Sequence, residues 1–77
     1  MDISISDITV HIDEALTPDR RMLIEKELRA LNGVVSVHNA DNTPHLTVVG
    51  FNPDAASSDA ILGAIRRYGV SAELIGL

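Results

Sequence analysis

Ala15–Val34 reads ALTPDRRMLIEKELRALNGV, and the fold is decided by how this stretch starts and stops. Thr17 suits an N-cap, because its hydroxyl can accept from a backbone N–H left unpaired in the first turn. Pro18 follows at the first helical position, where the missing N–H costs nothing and φ is preset. Asp19 places negative charge at the positive end of the helix dipole. Ile24, Leu28 and Leu31 repeat at helical spacing with Leu23 on the flank, so one stripe faces a core. Glu25 and Arg29 form an i,i+4 pair worth only a few tenths of a kcal/mol. Asn32-Gly33 is the stop, with Gly33 suited to the left-handed conformation.

On either side of this helix the spacing predicts strands. Ile8–Ile12 alternates, with Thr9 and His11 on the second face. Residues 34–39 and 45–51 read as two strands joined by the polar loop 40–44. Asn52-Pro53-Asp54 makes a turn. Ser57 or Ser58 caps a second helix running to Tyr68, with Ile61, Leu62, Ile65 and Tyr68 on its apolar side. Gly69 ends it, and residues 70–75 form the last strand. The order βαββαβ predicts an α+β, ferredoxin-like sandwich: a four-stranded antiparallel sheet in the order 4-1-3-2, with two helices on one face. Residues 1–6 read as a tail, because Ile3 and Ile5 fall out of parity with Ile8, Val10 and Ile12. Residues 7–77 then form one domain.

Strand parity sends Val35, Val37, Thr47, Val49, Val70, Ala72 and Leu74 toward the helices. It sends Thr9, His11, Ser36, His38, Leu46, Val48, Ser71, Glu73 and Ile75 to the uncovered side. Such a face is normally polar. Leu46 and Val48 on an interior strand, extended by Ile75, therefore mark a partner-binding patch.

Composition narrows the function. The chain has 77 residues, enough for one small core. It has no cysteine, which removes disulfides, thiolate metal sites and thiol nucleophiles together. The net charge is −5, and all six Lys and Arg fall within the two predicted helices. We read these as a solvated helix surface and expect no nucleic-acid partner. MDISISD offers no basic segment and no long apolar run, so we expect no membrane association and a cytoplasmic location.

Taken together, Ile24, Leu28, the Gly33-Val34 step, Asn52-Pro53, Ile61, Ile65 and Gly69 make the stretch from Ile8 to Leu74 resemble a heavy-metal-associated (HMA) domain, the fold of small copper chaperones. The family's metal motif is M-x-C-x-x-C at the mouth of the first helix. The resemblance places Ala15 at the Met, Thr17 at the first Cys and Arg20 at the second. A hydroxyl is a poor ligand for a soft ion such as Cu(I), and an arginine offers no lone pair. The resemblance therefore implies the fold and a habit of docking to other proteins, without the metal site.

The remaining candidates for chemistry are His11, His38 and His45 with Asp13 and Glu14. Imidazole plus carboxylate suits Zn(II), Ni(II) or Co(II). Parity, however, places His11 and His38 on strands about 10 Å apart and turns His45 to the opposite face, so we expect three separate histidines. Asp13, Glu14 and Asp19 read as charge complementing a helix dipole. No nucleophile stands in an evident context, and the scattered glycines show no phosphate-cradling pattern. The expected function is a non-catalytic HMA-like module without a cofactor, acting on a protein partner or on itself as a homo-oligomer. The alternatives are a divalent-metal domain with His and carboxylate ligands, and a small-molecule-sensing regulatory domain.

Overall fold

The computed structural model of the chain describes residues 4–75. The elements are β1 (Ser6–Ile12), α1 (Pro18–Arg29), β2 (Val34–His38), β3 (Leu46–Phe51), α2 (Ser58–Arg66) and β4 (Ala72–Ile75). They form a four-stranded sheet in the order β2-β3-β1-β4, which is the expected order read from the other side. Every neighbouring pair is antiparallel. This is the ferredoxin-like sandwich. β1 begins at Ser6, which pairs with Phe51, two residues before the expected start. The rest of the expected tail includes residues 1–3, which lie outside the described residues. Among the described residues no helix is long and apolar enough to cross a membrane.

The helix signals act as their chemistry requires. Thr17 Oγ1 accepts from the Arg20 N–H at 3.2 Å, and Ser57 Oγ accepts from Ala60 at 3.1 Å. Packing, more than local preference, holds α1 in place. Ile24 and Leu28 are buried together with Val10, Val49, Ile61 and Ile65. Each such side chain contributes roughly 1.5–3 kcal/mol, against a few tenths for the 3.9 Å Arg29–Glu25 pair. α1 ends at Arg29, and the chain turns through Gly33 at φ +92°. Gly63 sits where an added Cβ would meet open space, so that glycine is tolerated and serves no close contact.

Three expectations of orientation are corrected. Val35 was expected in the core and is 59% exposed. The pairing with β3 shifts between Val34 and Ser36, so Val35 is the extra residue of a bulge, and Val34 packs on the core instead. Leu74 does lie opposite the fully buried Val10, but on an edge strand, and it stays 42% exposed. Arg21 was read as part of a solvated surface. Its side chain is only 12% exposed, and it ties α1 to the hairpin loop through Asn39 Oδ1 (2.7 Å) and Asp41 Oδ1 (3.3 Å). Asn39 in turn donates to the carbonyls of Pro44 and Leu46, closing that loop.

The outer strands end in arginine contacts. Ile12 donates to His45 O at 2.9 Å on the β3 side, so Ala72, opposite Ile12, turns its carbonyl away from β1. Arg66 Nε donates to that carbonyl at 3.0 Å. The same alternation turns the Val37 carbonyl away from β3, where Arg29 Nη2 reaches it at 3.0 Å.

Candidate functional site

The loop before α1 and the first turn of that helix hold the three positions assigned to a metal motif. Ala15, Thr17 and Arg20 are all exposed. The Thr17 hydroxyl is engaged as the helix cap. Arg20 Nη2 crosses to the end of α2 and donates to the Tyr68 carbonyl at 3.0 Å. The Tyr68 hydroxyl returns the contact, donating to the Leu23 carbonyl at 3.4 Å. The ring packs on the core at the helix end, the role expected of it. This mouth is a clamp between two helices, built around a permanent positive charge.

A second group of side chains lies at the same end of the sheet. His11 Nδ1 stands 3.0 Å from Asp13 Oδ1 and 3.7 Å from Glu73 Oε1. His11 and Glu73 are brought together by the pairing of β1 with β4, where they are directly opposite. The His45 ring stacks on His11 with centroids 5.7 Å apart and planes 19° apart. This corrects the expectation that His45 faces the other way. His45 falls in the turn one residue before β3, so the pleat does not set its direction, and its Nδ1 is anchored 2.7 Å from the Ile12 carbonyl. His38 stays apart: it pairs with Val48, with β3 between it and β1. Parity had put Glu73 on the open face, but the register that sets it beside His11 was not legible.

Glu14 is committed elsewhere. Both of its carboxylate oxygens accept from the Ser71 N–H, at 2.8 and 3.1 Å. This hydrogen bond holds the Glu14 carboxyl below the ordinary carboxylate range, helped by nearby Arg20. A lowered folded value means the contribution to stability is present above the unfolded value and is lost as pH falls through the folded one. The urea midpoint of the wild type is therefore expected to fall faster than that of Glu14→Gln between about pH 6 and pH 3. Parallel profiles would remove Glu14 from this role.

No protein-family model and no curated protein matches the sequence. Solved structures do match in shape. Oxidized MerP from Ralstonia metallidurans CH34 superposes with a TM-score of 0.81 at 17% identity, covering 92% of this chain and 97% of that one. The N-terminal domain of a potential copper-translocating P-type ATPase from Bacillus subtilis, in its Cu(I)-loaded state, gives 0.83 at 21% identity, covering 92% and 88%. The copper binding domain from HMA7, a P-type ATPase, gives 0.81 at 23% identity, covering 91% and 93%. The fold is that of the heavy-metal-associated domain. The HMA7 domain binds copper, the Bacillus subtilis domain is in its Cu(I)-loaded state, and a further MerP structure, matching with a TM-score of 0.74 at 18% identity, is the mercury-bound form. The donor set at the mouth of α1 does not fit such an ion. It offers one hydroxyl already in use and one guanidinium, and the chain has no thiol anywhere.

Proposed function

We propose that this chain is a non-catalytic binding module on the HMA fold, which carries no soft metal and acts by contact with a protein partner. The observation that most supports this is Arg20. It occupies the position assigned to the second thiolate and is bonded across the mouth to Tyr68. What the sheet leaves open is a surface suited to contact. Leu46 is half-buried and Val48 39% exposed on β3, with Ile75 39% exposed beyond Thr9 on the same face. The charged rim of this face is acidic, with Asp7 and Glu73 on the strands, while the Lys and Arg all belong to the helical side. Two such faces would repel at their rims. An apolar surface flanked by Lys or Arg is the complementary partner. A sensor role gains nothing from the two shallow clefts at Arg21 and at Ser71, which are lined mostly by charged and polar side chains.

The test is Leu46→Glu combined with Val48→Lys. Both side chains point away from the core, so the variant should fold, losing about 1 kcal/mol for the half-buried Leu46. The wild type is expected to sediment as a monomer. A partner bound by the wild type should be lost by the double variant and released by salt. A wild-type dimer that the double variant dissolves would assign the face to a second copy instead. Binding that survives the double variant would move the interface to another surface.

A further inference from the structure

We propose that His11, Asp13 and Glu73 form a binding site for a divalent transition-metal cation of the Zn(II) class. One atom from each, a ring nitrogen or a carboxylate oxygen, lies within 4.8 Å of the other two. Donors at about 2.1 Å from a metal sit roughly 3.0–3.4 Å from one another around a tetrahedral or octahedral centre. The 3.0 Å and 3.7 Å separations of His11 Nδ1 from the two carboxylates bracket that range, so small side-chain rotations complete it. Two carboxylates carry the charge that a dication neutralises. One imidazole with two carboxylates favours Zn(II), Co(II) or Ni(II) over Cu(I), which prefers sulfur, and over Ca(II) and Mg(II), which prefer oxygen alone.

The ligands are held on rigid supports. His11 and Glu73 are opposed strand residues. Asp13 is fixed by its own N–H, which donates to Ser71 O at 2.9 Å, and the Ser71 N–H is held by Glu14. Glu14 is thus a positioning residue, locking the segment that carries Asp13 to the segment that carries Glu73. The stacked His45 ring restrains His11 from one side. Its own Nδ1 must carry the hydrogen, because the Ile12 carbonyl can only accept. Such supports orient ligands without touching the ion. The cleft beside Asp13 and Glu73 has a volume of about 430 Å³, room for water to fill the remaining coordination positions. Arg66 also lines this cleft, and its Nε is engaged by the Ala72 carbonyl. His11 and Glu73 share the open face with Leu46 and Val48, and His11 pairs with Leu46. Metal uptake, however, is read through His11→Ala and Glu73→Gln, and partner contact through Leu46→Glu with Val48→Lys, so the two proposals fail by different measurements.

The experiment is a Zn(II) titration of the full chain, followed by calorimetry and by NMR of the histidine rings, with Co(II) absorption as a second readout. One ion per chain is expected, with the His11 signals moving first. His11→Ala and Glu73→Gln should each lower affinity at least tenfold, while His38→Ala should leave it unchanged. The three side chains are 36%, 57% and 63% exposed, so the variants should fold, and circular dichroism checks this. Saturable binding that is indifferent to Glu73→Gln would overturn the site. So would the absence of saturation below millimolar metal, or a loss of binding that follows His38 rather than His11.

Discussion

Replacing Thr17 and Arg20 together by cysteine is expected to turn a chain that takes up no Cu(I) against a competing chelator into one that binds it stoichiometrically. The argument is one of donors and of charge. Thiolates three residues apart at a helix start are the soft ligands this ion selects. A helix N-terminus also lowers the pKa of a thiol placed there, which favours the metal-binding form. The wild type offers the capping hydroxyl of Thr17 and the cation of Arg20 at the same positions. The change removes the cap and the Arg20–Tyr68 hydrogen bond, so stability should fall by about 1–2 kcal/mol. Competition titrations of both proteins decide the matter. Tight binding by the wild type would overturn the functional reading. Failure of the folded double variant to bind would mean that the loop no longer keeps the geometry that the resemblance implies.

Gly33→Ala is expected to be the most damaging small substitution in the chain, at about 2–4 kcal/mol. Two effects add. The left-handed φ of +92° strains any side chain by about 1 kcal/mol. In addition, the new Cβ would lie 2.9 Å from the backbone carbon of Ala55 and from the Cβ atoms of Ala55 and Ala56. The contact cannot open easily, because Asn52 N–H donates to Gly33 O at 2.7 Å and fixes the two turns together. Gly69 provides the control. It also has a positive φ, of +77°, but an added Cβ there meets nothing. Gly69→Ala should therefore show the strain alone. Urea denaturation of the two variants separates the contributions, and equal losses would show that the Ala55–Ala56 turn moves aside.

The fold was legible because its signals are local. Thr17-Pro18 and Ser57 mark helix starts by chemistry confined to one turn, and Gly33 and Gly69 mark the stops. Alternation then placed Val10, Val37, Val49 and Ala72 in the core. What escaped were facts about register and about single extra residues. The bulge at Val35 breaks parity without any glycine or proline in β2 itself; the glycine beside it, Gly50, stands across the pairing on β3. His45 obeys a turn rather than a strand because β3 starts one residue later than its composition suggests. The corner of His11, Asp13 and Glu73 depends on the pairing of β1 with β4. Parity names the face a residue occupies but not its neighbour across the gap. Glu14 was recognisable as a carboxylate near a helix, yet its partner is 57 residues away in sequence.

The two helix arginines bonded to the outer strands limit how this molecule can be joined to anything else. A sheet whose margins offer free carbonyls can lengthen indefinitely by recruiting strands from other chains, the route to fibrils and to promiscuous peptide capture. Here Arg29 takes the outward carbonyl of one margin and Arg66 that of the other. The bulge at Val35 further spoils the first margin as a template, and among the described residues β4 has only 4. Association by backbone zippering is thereby discouraged on both sides. Recognition is left to side chains on the flat of the sheet and on the helices, where it can be selective.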